Sequence, residues 1–107
     1  MKMNFLIGFA VFGLALASAK SYEVSVDQVS KAGELQLQPG LYKVSVNGTK
    51  AKFTDENTGK SVETNVTVDN SGKSKFDATA LETESNNGVT TIHEIDLGGT
   101  TNRVKFQ

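Results

Sequence analysis

Apolar residues at every second position, in short runs, are the feature that most constrains the fold of this chain. The clearest run places Val62, Thr64, Val66 and Val68 between polar residues. Because successive side chains of a β-strand point to opposite faces, this spacing predicts strands with one buried and one solvated face. Such alternation is typical of antiparallel sheets, so the sequence predicts an all-β protein.

About eight such runs follow one another along the chain. They include Val24, Leu35, Val44, Phe53, Val66, Phe76, Ile95 and Val104. Turn residues recur at intervals typical of a small barrel or sandwich, and short connections favour pairing of sequential strands. We therefore expect a single antiparallel barrel or sandwich of about seven to eight strands, mostly a meander. One short helical turn is expected over residues 29–34, which Gly33 would end. The predicted core contains the aromatic residues Tyr22, Tyr42, Phe53, Phe76 and Phe106.

Three polar turns are candidate recognition surfaces, because exposed loops on a rigid scaffold often carry binding residues. Asn47 and Gly48 are expected to form a two-residue type I′ hairpin, which needs positive φ at both loop positions. Residues 55–60 and 85–88 form further polar turns. The candidate interaction residues in these turns are Asn47, Gly48, Asp55, Glu56, Asn57, Asn86 and Asn87.

The N-terminus has the features of an export signal. Lys2 is followed by an apolar run over residues 5–17, and Ala17-Ser18-Ala19 provides small residues for cleavage. The run is roughly 13 residues long, whereas a membrane-spanning helix needs about 20. We expect residues 1–19 to be a signal peptide and residues 20–107 a single domain, secreted or periplasmic and without a membrane anchor after cleavage.

Composition excludes several classes of protein. The chain has no cysteine, so it has no disulfides, which fits a bacterial periplasm better than a eukaryotic secretory route. Lys2 is the only charged residue among the first nineteen, which leaves a net charge of −2 on the remainder. Its basic residues are scattered, and this pattern argues against nucleic acid as a partner. No motif predicts a cofactor.

His93 is the only histidine, which excludes metal sites built from several histidines. Its spacing to Ile95 and Leu97 predicts an imidazole that points inward or lies at the margin of the sheet. A hydrolase would need a hydroxyl nucleophile and a carboxylate beside His93. We expect a structural role instead.

A group of carboxylates flanks the predicted turn at residues 85–88. Hairpin pairing could bring Glu82, Glu84, Glu94 and Asp96 together on one face. Such a group could bind a hard cation such as Ca²⁺, but the spacing matches no dedicated binding loop. A solvated charged face is the favoured interpretation, and we predict no metal site.

The segment Leu37-Gln38-Pro39-Gly40-Leu41-Tyr42-Lys43-Val44-Ser45-Val46 resembles an element of carboxypeptidase-regulatory-like and transthyretin-like β-sandwich modules. A longer stretch, from Leu35 through Asp55 and ending in Glu94-Ile95-Asp96-Leu97-Gly98-Gly99-Thr100, is similar to small exported β-rich proteins of unknown function from bacteria such as acidobacteria. The resemblance implies a β-rich exported module. It implies no activity and no functional residues.

These observations predict an exported, non-catalytic β-domain that serves as a binding or structural accessory module, with a protein or small molecule as partner. Its recognition surface would be the polar turns or an unpaired strand edge that accepts another chain. The alternative is a binder of small apolar ligands that uses the interior of a barrel.

Overall fold

Strands form all the regular structure of residues 20–107, the part of the chain that the computed structural model describes. The predicted signal peptide lies outside the described residues. No helix in residues 20–107 is long and apolar enough to cross a membrane. The all-β prediction is confirmed. The nine strands are β1 (Ser21–Val26), β2 (Ser30–Ala32), β3 (Leu35–Leu37), β4 (Gly40–Asn47), β5 (Lys50–Asp55), β6 (Ser61–Asp69), β7 (Ala80–Asn86), β8 (Val89–Asp96) and β9 (Arg103–Phe106).

The strands form one sheet that is not closed into a barrel, so the barrel prediction is wrong. Hydrogen bonds connect them in the order β1-β4-β5-β6-β9-β8, and β8 also pairs with β2 and β7. Strand β7 lies along the whole of β8, so β9 and β2 share the opposite side of β8. Within residues 20–107, three strands pair with one neighbour only: β1 with β4, β3 with β2, and β7 with β8.

The meander prediction holds for β4, β5 and β6 and for β7, β8 and β9, which pair in sequence order, as do β2 and β3. Strand β1 pairs with β4 across the intervening β2–β3 hairpin, β6 pairs with the distant β9, and β2 pairs with β8 in parallel. The first half of β6 pairs with β5 and the second half with β9. Strand β6 therefore joins the two halves of the sheet, which fold over a common core.

One hydrophobic cluster joins both halves of the sheet. Phe53 lies at its centre with no exposed surface, in edge contact with Tyr42 at a ring-centroid distance of 6.2 Å and in tilted contact with Phe106 at 5.9 Å. Tyr22 and Phe106 are partly buried against this cluster. Its buried members are Val24, Val26, Ala32, Leu37, Tyr42, Val44, Ala51, Phe53, Val66, Ile92, Ile95, Leu97 and Val104.

Residues 29–34 form a strand and a turn where a helical turn was expected. Ser30–Ala32 is β2, and Ser30 and Ala32 are both buried. Gly33 has φ of +61°, which closes a tight hairpin to β3. The local sequence permits a helical start, but the pairing of β2 with both β3 and β8 stabilises the extended form.

The predicted strand through Phe76, Ala78 and Ala80 is also wrong. Phe76 makes only an isolated bridge to Gly98, and the strand itself, β7, begins at Ala80. Phe76 is half-buried, and the guanidinium of Arg103 lies 5.3 Å from the centre of its ring. An irregular segment over residues 70–79 thus connects β6 to β7.

Two Asn-Gly pairs in the chain adopt different turns. In the β4–β5 hairpin Asn47 pairs with Lys50, so the loop is Gly48-Thr49, and only Gly48 has positive φ. This is the pattern of a type II′ turn, and the type I′ prediction for Asn47-Gly48 is wrong. The β7–β8 hairpin places Asn87 and Gly88 in the loop, with φ of 55° and 80°, as type I′ requires. The II′ form at Gly48 spares Thr49, a β-branched residue, from positive φ.

Asp69 makes the fold sensitive to acid. Its carboxylate accepts hydrogen bonds from the Ser71 hydroxyl at 2.6 Å and the Ser71 N–H at 2.9 Å, and the Lys105 ammonium lies 3.2 Å away. These contacts, with the Ser71 hydroxyl the largest, lower the pKa of Asp69 from 3.8 to about 2. The stabilisation is therefore present above the ordinary pKa and is lost as the pH falls through about 2.

We expect the melting temperature of the protein to fall more steeply between pH 3.8 and pH 2 than that of the Asp69→Asn variant. Asparagine keeps the turn geometry but cannot ionise, so the difference between the two curves isolates this carboxylate. Thermal unfolding followed by circular dichroism at several pH values checks it. Parallel curves over that range would contradict the prediction.

Candidate functional site

Two of the three end strands of the open sheet, β1 and β7, border the same groove. Strand β1 pairs with β4 and β7 pairs with β8, and neither pairs with any other strand in residues 20–107. Half of the backbone N–H and C=O groups of such an edge point away from the sheet, where a further strand can pair with them. These two backbone edges thus face a common space.

The groove has a cavity volume of about 470 Å³. Its apolar lining comes from Val24 and Val26 of β1, from Leu41 of β4 and from Leu81 of β7. Hydroxyl groups, carboxylates and the Gln28 amide complete it, and among residues 20–107 no Lys, Arg or His lines it. The remaining lining residues are Glu23, Ser25, Asp27, Gln28, Ser30, Thr79, Thr83 and Thr90.

The local sequence explains why β1 has a regular free edge. Its six residues alternate between buried and exposed positions, and it contains neither proline nor lysine. Natural edge strands are often protected by lysine, proline or a bulge. Strand β1 has none of these within its span, so its edge is open to pairing. Strand β7 is less regular as a docking edge, because Glu82 and Glu84 lie on it and its register with β8 shifts.

Acidic side chains lie beside the β1 edge. Glu23 and Asp27 line the groove, and neither forms an ion pair within residues 20–107. The Glu23 carboxyl also meets Glu56, and a hydrogen bond between them raises the pKa of Glu56. Repulsion between the two carboxylates raises it further, while Lys43 opposes the shift. This end of the groove is therefore negatively charged.

His93 lies on the outer face of the sheet, so of the two predicted positions, inward or at the margin of the sheet, the inward one is wrong. Glu82 pairs with Glu94 and Thr83 with Ile92, which leaves His93 as an extra residue in β8. This β-bulge reverses the faces, so that Ile92 and Ile95 are both buried although they are three residues apart. His93 Nε2 lies 2.7 Å from Glu84 Oε1, and the two side chains are 52% and 66% exposed.

Hairpin pairing does bring the four predicted carboxylates of β7 and β8 onto neighbouring positions. Arg103 Nε lies 3.2 Å from Glu94 Oε1 and 3.1 Å from Asp96 Oδ1, while Glu84 contacts His93. A hydrogen bond with Asp96 raises the pKa of Glu82. Within residues 20–107, no three His, Cys, Asp or Glu side chains form a group that could hold a metal ion. The arrangement is a surface ion-pair network centred on Arg103.

The predicted interaction turns lie apart from one another. Asn47 and Gly48 are at one end of the β4–β5 hairpin, and Asp55, Glu56 and Asn57 are at the other. Asn86 and Asn87 are exposed at the tip of the β7–β8 hairpin. Of these residues only Glu56 approaches the groove, through its contact with Glu23. The Asp55 side chain caps its own turn by accepting the N–H groups of Asn57 and Thr58.

The groove itself is not predicted from the sequence. Its lining residues come from β1, β2, β4, β7 and β8 and from the segments before β2 and β7, which are distant in the chain. The only available signal was the prediction that an unpaired strand edge could accept another chain.

The core between the two halves of the sheet contains large apolar side chains. Phe53, Leu37, Ile92, Ile95 and Val104 are each at most 2% exposed. Residues 20–107 do not close into a barrel, so they do not form the interior that the predicted alternative, a binder of small apolar ligands, would use; that alternative stays a prediction. The groove between β1 and β7 is about 470 Å³ in volume, against about 50 Å³ for the hollow lined by Asp69, Phe76 and Arg103. No protein-family model matches the chain, and no curated protein or solved structure is significantly similar to it.

Proposed function

We propose that the chain is an exported, non-catalytic binding module, secreted or periplasmic, that accepts an extended segment of another polypeptide. The observation that carries this proposal is that β1 and β7 leave backbone edges unpaired along one groove. A segment that adds to such an edge gains regular main-chain hydrogen bonds, and pockets for alternate side chains provide specificity.

The dimensions of the site suit a short strand. Strand β1 offers six residues, which at about 3.3 Å per residue correspond to an edge roughly 20 Å long. Leu41 and Leu81 supply apolar surface in the groove, next to the almost fully buried Val24 and Val26 of β1. In this proposal the protein is an open sandwich. The two halves of the sheet fold over one core, and the groove separates their free ends.

The surroundings of His93 support a non-catalytic role. Its hydrogen bond within residues 20–107 goes to Glu84, and no serine or threonine hydroxyl is bonded to it there. A hydrolase needs the histidine to contact its nucleophile, in a cleft that excludes water. His93 lies instead on the exposed outer face, outside the groove.

Blocking the groove should abolish peptide binding. Thr83 is exposed and lines the groove, so Thr83→Trp places a large ring where the added strand would lie. The probe is a fluorescein-labelled peptide of six alternating threonine and valine residues, and fluorescence anisotropy measures its affinity. We expect Thr83→Trp to weaken binding by about tenfold or more, equivalent to roughly 1.4 kcal/mol.

The matched control is Thr67→Trp, an exposed threonine of β6 outside the groove, which should leave the affinity unchanged. Both variants should melt close to the parent temperature, because surface substitutions change stability by about 0.5 kcal/mol or less. Amide hydrogen exchange provides a second measurement: bound peptide should slow the exchange of β1 amides. Equal affinities for both tryptophan variants, or no binding by the parent, would contradict the proposal.

A further inference from the structure

We infer that the segment accepted by the groove carries lysine or arginine between its apolar residues. This inference rests on the proposed function and specifies the chemistry of the partner. The carboxylates of Glu23 and Asp27 lie along the groove, whereas no basic side chain from the described part of the chain, residues 20–107, lines it. A strand laid against β1 would place its own outward side chains next to these carboxylates, where opposite charges attract and like charges repel.

Strand β9 shows how this protein matches a strand to an acidic neighbour. Its residues alternate basic and apolar, with Arg103 and Lys105 between Val104 and Phe106. In the register with β8, Lys105 lies opposite Glu94 and Arg103 opposite Asp96. Arg103 contacts both carboxylates, while Val104 is fully buried.

The established neighbour of β1 follows the same rule. In the pairing of β1 with β4, Glu23 lies directly opposite Lys43, and Val24 lies opposite the buried Tyr42. The free side of β1 carries the same alternation but has no strand beside it. A segment that alternates basic and apolar residues would place a basic side chain beside Glu23 on the free side of β1, as β4 places Lys43 beside it on the paired side.

A second copy of the chain is a poor occupant of the edge. Antiparallel pairing of two β1 strands centred on Ser25 would place Glu23 of each copy opposite Asp27 of the other. Like charges directly opposite one another destabilise a strand pair. In the register centred on Ser25 the acidic edge therefore disfavours self-association, whereas a basic partner segment meets no such repulsion.

The test measures the affinity of three labelled peptides for the protein produced from the full chain. Each has six residues, the length of β1, with valine alternating with lysine, threonine or glutamate. Exposed ion pairs contribute about 0.2–1 kcal/mol each, so with two carboxylates we expect the lysine peptide to bind about fivefold more tightly than the threonine peptide. The glutamate peptide should bind most weakly. Raising the NaCl concentration from about 0.05 M to about 0.5 M should remove most of the difference, because salt screens exposed charges.

The double variant Glu23→Gln/Asp27→Asn should bring the affinity for the lysine peptide to that of the threonine peptide. The control Glu63→Gln changes an exposed carboxylate of β6 outside the groove and should have no effect. If the threonine and lysine peptides bind equally, the charge inference is wrong and the proposed function stands. If all three peptides fail to bind, the proposed function is wrong as well. If the lysine peptide is favoured equally by the parent and the double variant, the assignment to Glu23 and Asp27 is wrong.

Discussion

Phe53→Ala is expected to destabilise the fold by about 3–5 kcal/mol, which approaches its whole stability. A protein of 88 structured residues, residues 20–107, is typically stable by roughly 4–13 kcal/mol. Phe53 has no exposed surface, and its ring contacts Tyr42 and Phe106. These aromatic residues come from three different strands, so the truncation leaves a cavity where β4, β5 and β9 meet.

Urea unfolding followed by circular dichroism measures the free energy of unfolding, and thermal unfolding followed in the same way measures the melting temperature. The melting temperature should fall by at least about 12 °C, because each kcal/mol corresponds to about 4–8 °C in a domain of this size. Val62→Ala is the matched control: Val62 pairs directly with Phe53 across β5 and β6 but is 44% exposed. Its truncation should cost less than about 1 kcal/mol. A loss below about 1.5 kcal/mol for Phe53→Ala would show that the core is not centred on this ring.

Local pattern predicts most of the strands in this fold. Strands β1, β4, β5 and β6 follow the alternation closely, and Val24, Val44 and Val66 are buried as that alternation requires. The end positions Val62 and Val68 remain exposed, although their direct partners across the sheet, Phe53 and Val104, are fully buried. Periodicity thus identifies the face of a strand more reliably than it identifies how far burial extends.

The misassigned face of His93 has a specific physical cause. Alternation assumes that each residue opposes one partner, but β8 accommodates one extra residue where its register with β7 shifts. Ile92 and Ile95 are three residues apart and both buried, which is the trace that the bulge leaves in the sequence. Two apolar residues at odd spacing within a strand are a usable signal for such a bulge.

The groove could not be predicted from local sequence, because it depends on where the sheet stops. The curvature of the nine-stranded sheet decides whether β1 and β7 pair with each other, and no short motif encodes that curvature. Among the surface features predicted from the sequence, only the unpaired strand edge corresponds to part of the groove. The acidic character of the β1 edge, by contrast, was visible in Glu23 and Asp27 themselves.

The second large effect is expected from Gly98→Ala. A Cβ at position 98 would lie 2.6 Å from the backbone N of Thr79 and 2.8 Å from the backbone C of Ala78. Both neighbours are backbone atoms, so the segment that leads into β7 has to move. The Gly98 N–H also donates to the Thr79 hydroxyl at 3.0 Å. Overpacking of this kind costs about 1–3 kcal/mol, and urea unfolding measures it.

The displacement should also alter binding, because Thr79 lines the groove and directly precedes β7. We therefore expect Gly98→Ala to weaken binding of the threonine–valine peptide under conditions where the variant is still folded. Hydrogen exchange of the Gly99 amide, which donates to the Phe76 carbonyl at 2.8 Å, reports the movement directly. The control is Gly72→Ala, whose Cβ would meet only Thr101, at no less than 3.0 Å, and which lies outside this groove. Gly98→Ala could instead match the parent protein in stability, in protection of the Gly99 amide and in peptide binding. That result would show that the connection between β8 and β9 does not position the β7 edge.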